Sequence, residues 1–277
     1  MLHLQDTPLT RLAAAFSTEE LRRAFLVSGL FEPGEVRLRW WETDRTVMGA
    51  AVPLSGELAL PCPPELRSEH FLDRREAGIV NVGGRGSVTA DGVRHLMEPG
   101  DALYLGRGGR PVAFASGEAA VPARFWIVSY PAHAAHPTKH IAFRDAVGER
   151  LGSRENANER TLFRLIHPGT VATCQLVMGL TRLEPGSVWN SMPPHTHRRR
   201  SEVYLYYNLP PGQAVFHLMG EPAQTRHLLV HDGEAVLSPP WSIHCGAGTC
   251  AYSFVWCMGG ENQVFSDMDP APVGDLR

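Results

Sequence analysis

From Val36 onward the chain runs in short stretches where apolar and polar residues alternate, each closed by Gly or Pro. Val36-Arg-Leu-Arg-Trp-Trp, Gly78-Ile-Val-Asn-Val, Val112-Ala-Phe-Ala and Arg124-Phe-Trp-Ile-Val are examples. Successive side chains of a strand point to opposite faces, so this alternation predicts half-buried strands. Turn signals recur every ten residues or so, as in an all-β sandwich or barrel, and no series of βαβ helices interrupts them. Before Gly29 the texture is different. Ser17-Thr-Glu-Glu20 is a capping box, in which the Ser17 hydroxyl takes the Glu20 N–H and the Glu20 side chain reaches back. Glu19 to Val27 then carries apolar residues at Leu21, Ala24, Phe25 and Val27, which predicts one short N-terminal helix.

A faint internal repeat organises the rest. Glu98-Pro-Gly-Asp-Ala-Leu-Tyr-Leu resembles Asp232-Gly-Glu-Ala-Val-Leu-Ser-Pro, and each is followed by an aromatic strand, Ala123-Arg-Phe-Trp-Ile-Val or Ala251-Tyr-Ser-Phe-Val-Trp. The polar stretch Ala146 to Glu159 has little to bury and marks the join. The expectation is therefore all-β, a bicupin of two jelly-roll barrels, with lobes at 1–150 and 151–277.

Composition narrows the function classes. At 277 residues there is enough chain for two ordinary β domains, and 43% hydrophobic with 20% charged residues is the balance of a globular protein. The net charge of −3, with basic residues scattered apart from one Arg run, gives no footprint for nucleic acid. Apolar runs of about ten residues are too short to span a bilayer. The opening MLHLQDTPLTRLAAAF lacks the pattern of a signal peptide, which leads to an expected cytoplasmic setting. Cys62, Cys174, Cys245, Cys250 and Cys257 form no CxxC pair and read as reduced thiols.

The chemistry lies in the second lobe. In Pro193-Pro-His195-Thr-His197-Arg-Arg-Arg-Ser-Glu202 the two His are two apart, so an extended backbone points both imidazoles to one face. Glu202 follows after enough residues for a turn, and Gly233-Glu-Ala-Val-Leu-Ser-Pro-Pro-Trp-Ser-Ile-His244 supplies a third His. An isolated HxH is as often an ordinary surface pair. Joined to Glu202 and the Gly–Pro–His box, it predicts a divalent metal held by His195, His197, Glu202 and His244. Zinc is the expected ion, and manganese, iron, cobalt and nickel also suit such donors. The first lobe has no HxH and no matching Glu; His70 and His95 stand alone, so one ion per chain is expected.

These residues belong to a wider set of motifs. They include Thr173-Cys-Gln-Leu-Val-Met-Gly-Leu, Trp189-Asn-Ser-Met-Pro-Pro-His-Thr-His, Glu202-Val-Tyr-Leu-Tyr and Phe216-His-Leu-Met-Gly. Glu221-Pro-Ala-Gln-Thr-Arg-His, Trp241-Ser-Ile-His and Gly260-Glu-Asn-Gln-Val-Phe-Ser-Asp-Met-Asp continue the series. In the first lobe stand Phe71-Leu-Asp-Arg-Arg-Glu-Ala-Gly-Ile, Asp101-Ala-Leu-Tyr-Leu-Gly and Pro131-Ala-His-Ala-Ala-His-Pro-Thr-Lys. So many motifs in order closely resemble the 5-keto-4-deoxyuronate isomerase family of pectin breakdown, in the cupin superfamily. The resemblance implies an aldose–ketose isomerase of a small uronic-acid-derived substrate, the four metal ligands above, and a homohexamer. Two features depart from the family pattern: Arg164-Leu165 stands where a Lys-Tyr pair is expected, and Leu209-Pro-Pro-Gly replaces an acidic turn.

Other roles are open assignments. Arg199 and Arg200 are candidates to grip a substrate carboxylate, with Arg182, Arg226, Gln263 and Trp241 as further substrate contacts. Tyr204 and Tyr206 share a strand face with Glu202 and, with Gln175 and His227, are the candidates for proton transfer. Two alternatives are a 5-deoxyglucuronate isomerase of inositol breakdown and a non-catalytic bicupin that binds sugar acids. A dioxygenase using Fe(II) at the same donors is a smaller one.

Overall fold

The computed structural model describes residues 3–5, 8 and 10–277. Among these, strands dominate and two α-helices occur, Thr10–Ala15 and Thr18–Phe25. The second is the expected one. Its capping box is closed, with the Ser17 N–H donating to Glu20 Oε2 at 2.8 Å and the Glu20 N–H to Ser17 Oγ at 3.3 Å. Leu21, Ala24 and Phe25 are its buried face. The helix stops short of the predicted Val27 because Leu26–Val27 leaves it as a strand and pairs with Val236 and Ala235. The helix Thr10–Ala15 is an element the sequence pattern does not predict.

The all-β, two-lobed architecture is as expected, but the chain divides into two compact units that interleave in sequence. The first is built mainly from residues 29–146 and 165–178, the second from 147–164 and 179–277 together with the helical segment before Gly29. This differs from a single cut at 150/151, and two local interactions account for it. The helical segment joins the second unit through the strand Leu26–Val27. The segment 165–178 joins the first through Glu76, a fully buried carboxylate. Glu76 accepts the backbone N–H of Cys174 at 2.7 Å, Gln175 at 2.8 Å and Leu176 at 2.9 Å, and the Tyr104 hydroxyl at 2.8 Å. A carboxylate out of water needs such donors to stay charged.

In the first unit a seven-stranded sheet runs in the order His3–Gln5, Val36–Trp41, Thr46–Ala51, Phe125–Pro131, Arg75–Asn81, Ala102–Leu105, Lys139–Ile141. A four-stranded sheet runs Leu58–Ala59, Val112–Ser116, Gly86–Ala90, Val93–Met97. One core fills the space between them. Ala77, Ile79, Leu103, Leu105, Phe125 and Ile127 come from the large sheet, and Val88, Ala90, Met97, Val112 and Phe114 from the small one. Burying each of the side chains larger than alanine contributes roughly 1.5–3 kcal/mol.

The second unit repeats the plan. Its seven-stranded sheet runs Gly148–Leu151, Arg160–Ile166, Val177–Leu183, Ser253–Gly260, Arg200–Tyr207, Ala235–Ser238, Leu26–Val27. Its four-stranded sheet runs Trp189–Asn190, Cys245–Gly248, Val215–Glu221, Gln224–Val230. A short ribbon pairs His195–Thr196 with Asp269–Pro270. Gly179 has no side chain because the Trp256 ring occupies the place: an added Cβ would lie 2.1 Å from it. That close approach sets the indole against the sheet, where its Nε1 donates to Thr181 Oγ1 at 3.2 Å.

Candidate metal centre

Four side chains converge in the second unit. His195 lies on the short ribbon, His197 just beyond it, Glu202 on Arg200–Tyr207, and His244 just before Cys245–Gly248. Their ligand atoms all lie within 4.8 Å of one another. His195 Nε2 stands 3.1 Å from His197 Nε2 and 3.0 Å from His244 Nε2. Glu202 Oε2 is 3.3 Å from His197 Nε2 and 3.0 Å from His244 Nε2. Ligands about 2.1 Å from a shared ion stand about 3.0 Å apart at right angles and about 3.4 Å apart at the tetrahedral angle. Nitrogen lone pairs facing one another at such distances fit a cation between them, and the donor set suits a divalent ion.

The surroundings fix each donor. His197 Nδ1–H donates to the Asp267 carbonyl at 2.9 Å, which leaves Nε2 unprotonated toward the cluster. Ser238 Oγ lies 3.1 Å from His244 Nδ1 and can do the same there. Burial, then the neighbouring His244 and His197, push the His195 imidazole down to about 2, so it stays neutral. Burial alone would raise the Glu202 carboxyl. His244 and His197 outweigh it and hold that carboxyl well below the usual range. Imidazoles bind a metal in their neutral form, so three of them with one carboxylate would leave a divalent cation a net positive charge.

The cluster opens into a cavity of about 360 Å³, within the range of small-ligand sites. His195, His197, Glu202 and Tyr204 line it, and Leu162, Phe254, Trp256, Met258 and Phe265 form an apolar wall.

Residues 38–272 match the KduI/IolB family. A 4-deoxy-L-threo-5-hexosulose-uronate ketol-isomerase of Kineococcus radiotolerans is 54% identical over 264 residues, covering 94% of each chain. One of the same name from Lachnoclostridium phytofermentans is 50% identical over 262 residues, covering 95% of each. The chain belongs to the KduI/IolB family. The crystal structure of an IolB-like protein from Salmonella typhimurium shares the fold, with a TM-score of 0.71 and 18% identity over 86% of this chain and 94% of that one.

The structure sorts the other expected site residues of this family member. Tyr204 is where alternation put it, on the cavity wall beside Glu202 and Ser191. Tyr206 lies on the same side but beyond the cavity lining, its hydroxyl 2.7 Å from His217 Nδ1. Gln175 lies in the first unit, where its amide donates to the Pro131 carbonyl. His227 is exposed on Gln224–Val230 beside Phe216 and is not part of the cavity lining.

None of the arginines named for the substrate carboxylate stands free in the cavity. Arg199 forks onto Asp267 and also binds Asp269, which hold it well above its ordinary value. Arg200 is buried and donates to the carbonyls of Val264 and Asp267 at 2.7 Å. Both therefore pin the 262–269 loop that orients His197, a positioning role. Arg226 donates to the carbonyls of Ala14 and Phe16 and ties down the helical segment. Arg182 is one residue from the cavity-lining Thr181, so the pleat turns it to the other face, where it bonds Tyr207. Trp241 packs edge-on against Phe25, with ring centroids 5.9 Å apart, and Gln263 is half-buried outside the cavity lining.

Three residues were missed. Asp267 gathers Arg199 through its carboxylate and His197 and Arg200 through its carbonyl. Its position in the Glu261–Asp269 motif was the available signal. Arg160 and Arg164 both line the cavity. Alternation along Arg160–Ile166 could have placed them on one face with Leu162.

Proposed function

We propose that the chain is a metal-dependent ketol-isomerase of 4-deoxy-L-threo-5-hexosulose uronate, moving the carbonyl from C1 to C2. The observation that carries this reading is the convergence of His195, His197, Glu202 and His244, the first three of which line the cavity. It is supported by relatives bearing that activity in their name at 45–54% identity. A bound divalent ion would polarise the C1 carbonyl and C2 hydroxyl as a Lewis acid. The chain's part is to hold that ion through four donors whose partners fix their direction. Tyr204 offers its hydroxyl beside Glu202, and the wall of Leu162, Phe254, Trp256, Met258 and Phe265 keeps water from the reacting carbons. The four ligand side chains are poor bases for the C2 proton, because their lone pairs face the ion.

The finer parts of the proposal are zinc as the ion, supported by the donor set, a cytoplasmic setting, supported by the unpaired thiols, and pectin-derived uronate breakdown and a homohexamer, supported by motif resemblance. The 5-deoxyglucuronate reading is less favoured, since the relatives at 45–54% identity carry the hexosulose-uronate name. To test the assignment, metal-loaded protein is mixed with the hexosulose uronate and followed by NMR. A C2 ketone growing as the aldehyde fades is expected. No turnover overturns the assignment, and turnover of 5-deoxyglucuronate in its place selects the alternative.

A further inference from the structure

Every arginine assigned from the sequence to the substrate carboxylate is occupied elsewhere, yet the cavity needs a cation if it is to hold a sugar acid. Two guanidinium groups line it, and their situations differ. Arg164 is neutralised by Glu149, which also lines the cavity, and lies over the Phe265 ring at 4.7 Å. Its charge is thus already paired without a ligand, although its buried Nε finds no acceptor among the described residues. Arg160 has no carboxylate partner among the described residues; one N–H group, at Nη1, donates to the Asn158 carbonyl at 2.8 Å. A guanidinium carries five N–H donors, so most of its capacity is left for what enters the cavity. Its neighbour Glu159 pairs with Arg150 and Arg154 instead.

On the proposed isomerase reading, we infer that Arg160 is the seat of the substrate carboxylate, opposite in function to the metal cluster that opens into the same cavity. An open-chain sugar acid has a carbonyl–hydroxyl end and a carboxylate end, and this cavity offers a site for each: the four-residue cluster, which reaches it through His195, His197 and Glu202, and Arg160. Burial already disfavours the Arg160 cation, with only the phenols of Tyr252 and Tyr204 acting the other way. An incoming carboxylate supplies the missing counter-charge, and in a partly desolvated site such a charge-assisted bond is stronger than in water. Arg160 thereby fixes which end of the chain meets the ion, which selects uronates over neutral aldoses.

Arg160→Met and Arg160→Lys variants, each checked for unchanged metal content and circular dichroism, test this in two ways. With the hexosulose uronate, Arg160→Met is expected to raise KM about 10–100-fold, the usual loss for a hydrogen-bonded ion pair, while kcat falls less. Arg160→Lys should recover part of that. Independently of turnover, calorimetric titration of the metal-loaded protein with galacturonate and with galactose reads the seat itself. Wild type should bind galacturonate more tightly, and Arg160→Met should remove the difference. A wild type indifferent to the carboxylate, or a Met variant that keeps the preference, overturns the inference whether or not the uronate is isomerised. Failure of wild-type turnover alone strikes the isomerase reading.

Discussion

The fifth and sixth strands of the two large sheets show how one plan yields both a filled core and an open site. In the first unit Ala77 pairs across from Leu105 and Ile79 from Leu103, and all four are fully buried in an apolar core. At the corresponding place in the second unit Glu202 pairs with Ser238 and Tyr204 with Val236. Phe125 on the fourth strand, part of the same apolar core, has its counterpart in Phe254, which borders the cavity. The backbone hydrogen bonds are alike; the inward side chains are not. Where they are apolar they close on one another, and where a carboxylate, a hydroxyl and three imidazoles replace them the space stays open. Polar groups buried this way must be paired, and an ion held between these four would pair them. Among the described residues the first unit has no such cluster.

Making the two units alike at single positions tests that contrast. Glu202→Ala gives the second unit the residue that the first carries as Ala77. Metal content should fall below about a tenth of an ion per chain, and kcat/KM by about a thousand-fold or more. The metal-free protein should lose no stability, because the change removes a buried charge that lacks its ion. Elemental analysis, steady-state kinetics and thermal melts read these three quantities.

The paired phenylalanines come next. Phe125→Ala opens a hole in a filled core and should cost about 3–5 kcal/mol by denaturant unfolding. Phe254→Ala enlarges a space that already exists and should cost about 1–2 kcal/mol, with the damage appearing in KM. Equal costs would mean that the second unit's interior is as closed as the first. The smallest effect is expected from Ser238→Ala, which removes the hydroxyl beside His244 Nδ1. Metal affinity should weaken about tenfold, measured by competition with a chelator, with little change in folding.

The strands, the capped helix and the four converging donors were legible in the sequence because each rests on local pattern. Alternation sets the strand faces, Ser17 and Glu20 lie within one turn, and His195 and His197 are two residues apart. What the arginines do was not legible, since a long side chain goes to whichever acceptor the fold brings near. Arg199 finds Asp267 and Asp269 nearly seventy positions away, and Arg226 finds the carbonyls of Ala14 and Phe16 more than two hundred away. Arg182 was lost to parity, one residue from the inward-facing Thr181. Arg160 stood directly after a polar stretch taken as the join between lobes, although the strand it opens forms a cavity wall.

The most direct test of the central claim is a titration of metal-stripped protein with a divalent ion, following the initial rate of hexosulose uronate isomerisation. The rate should start near zero and rise linearly to a break at one ion per chain, carried by the second unit alone. A break at two ions, or full turnover in the stripped protein, would contradict it.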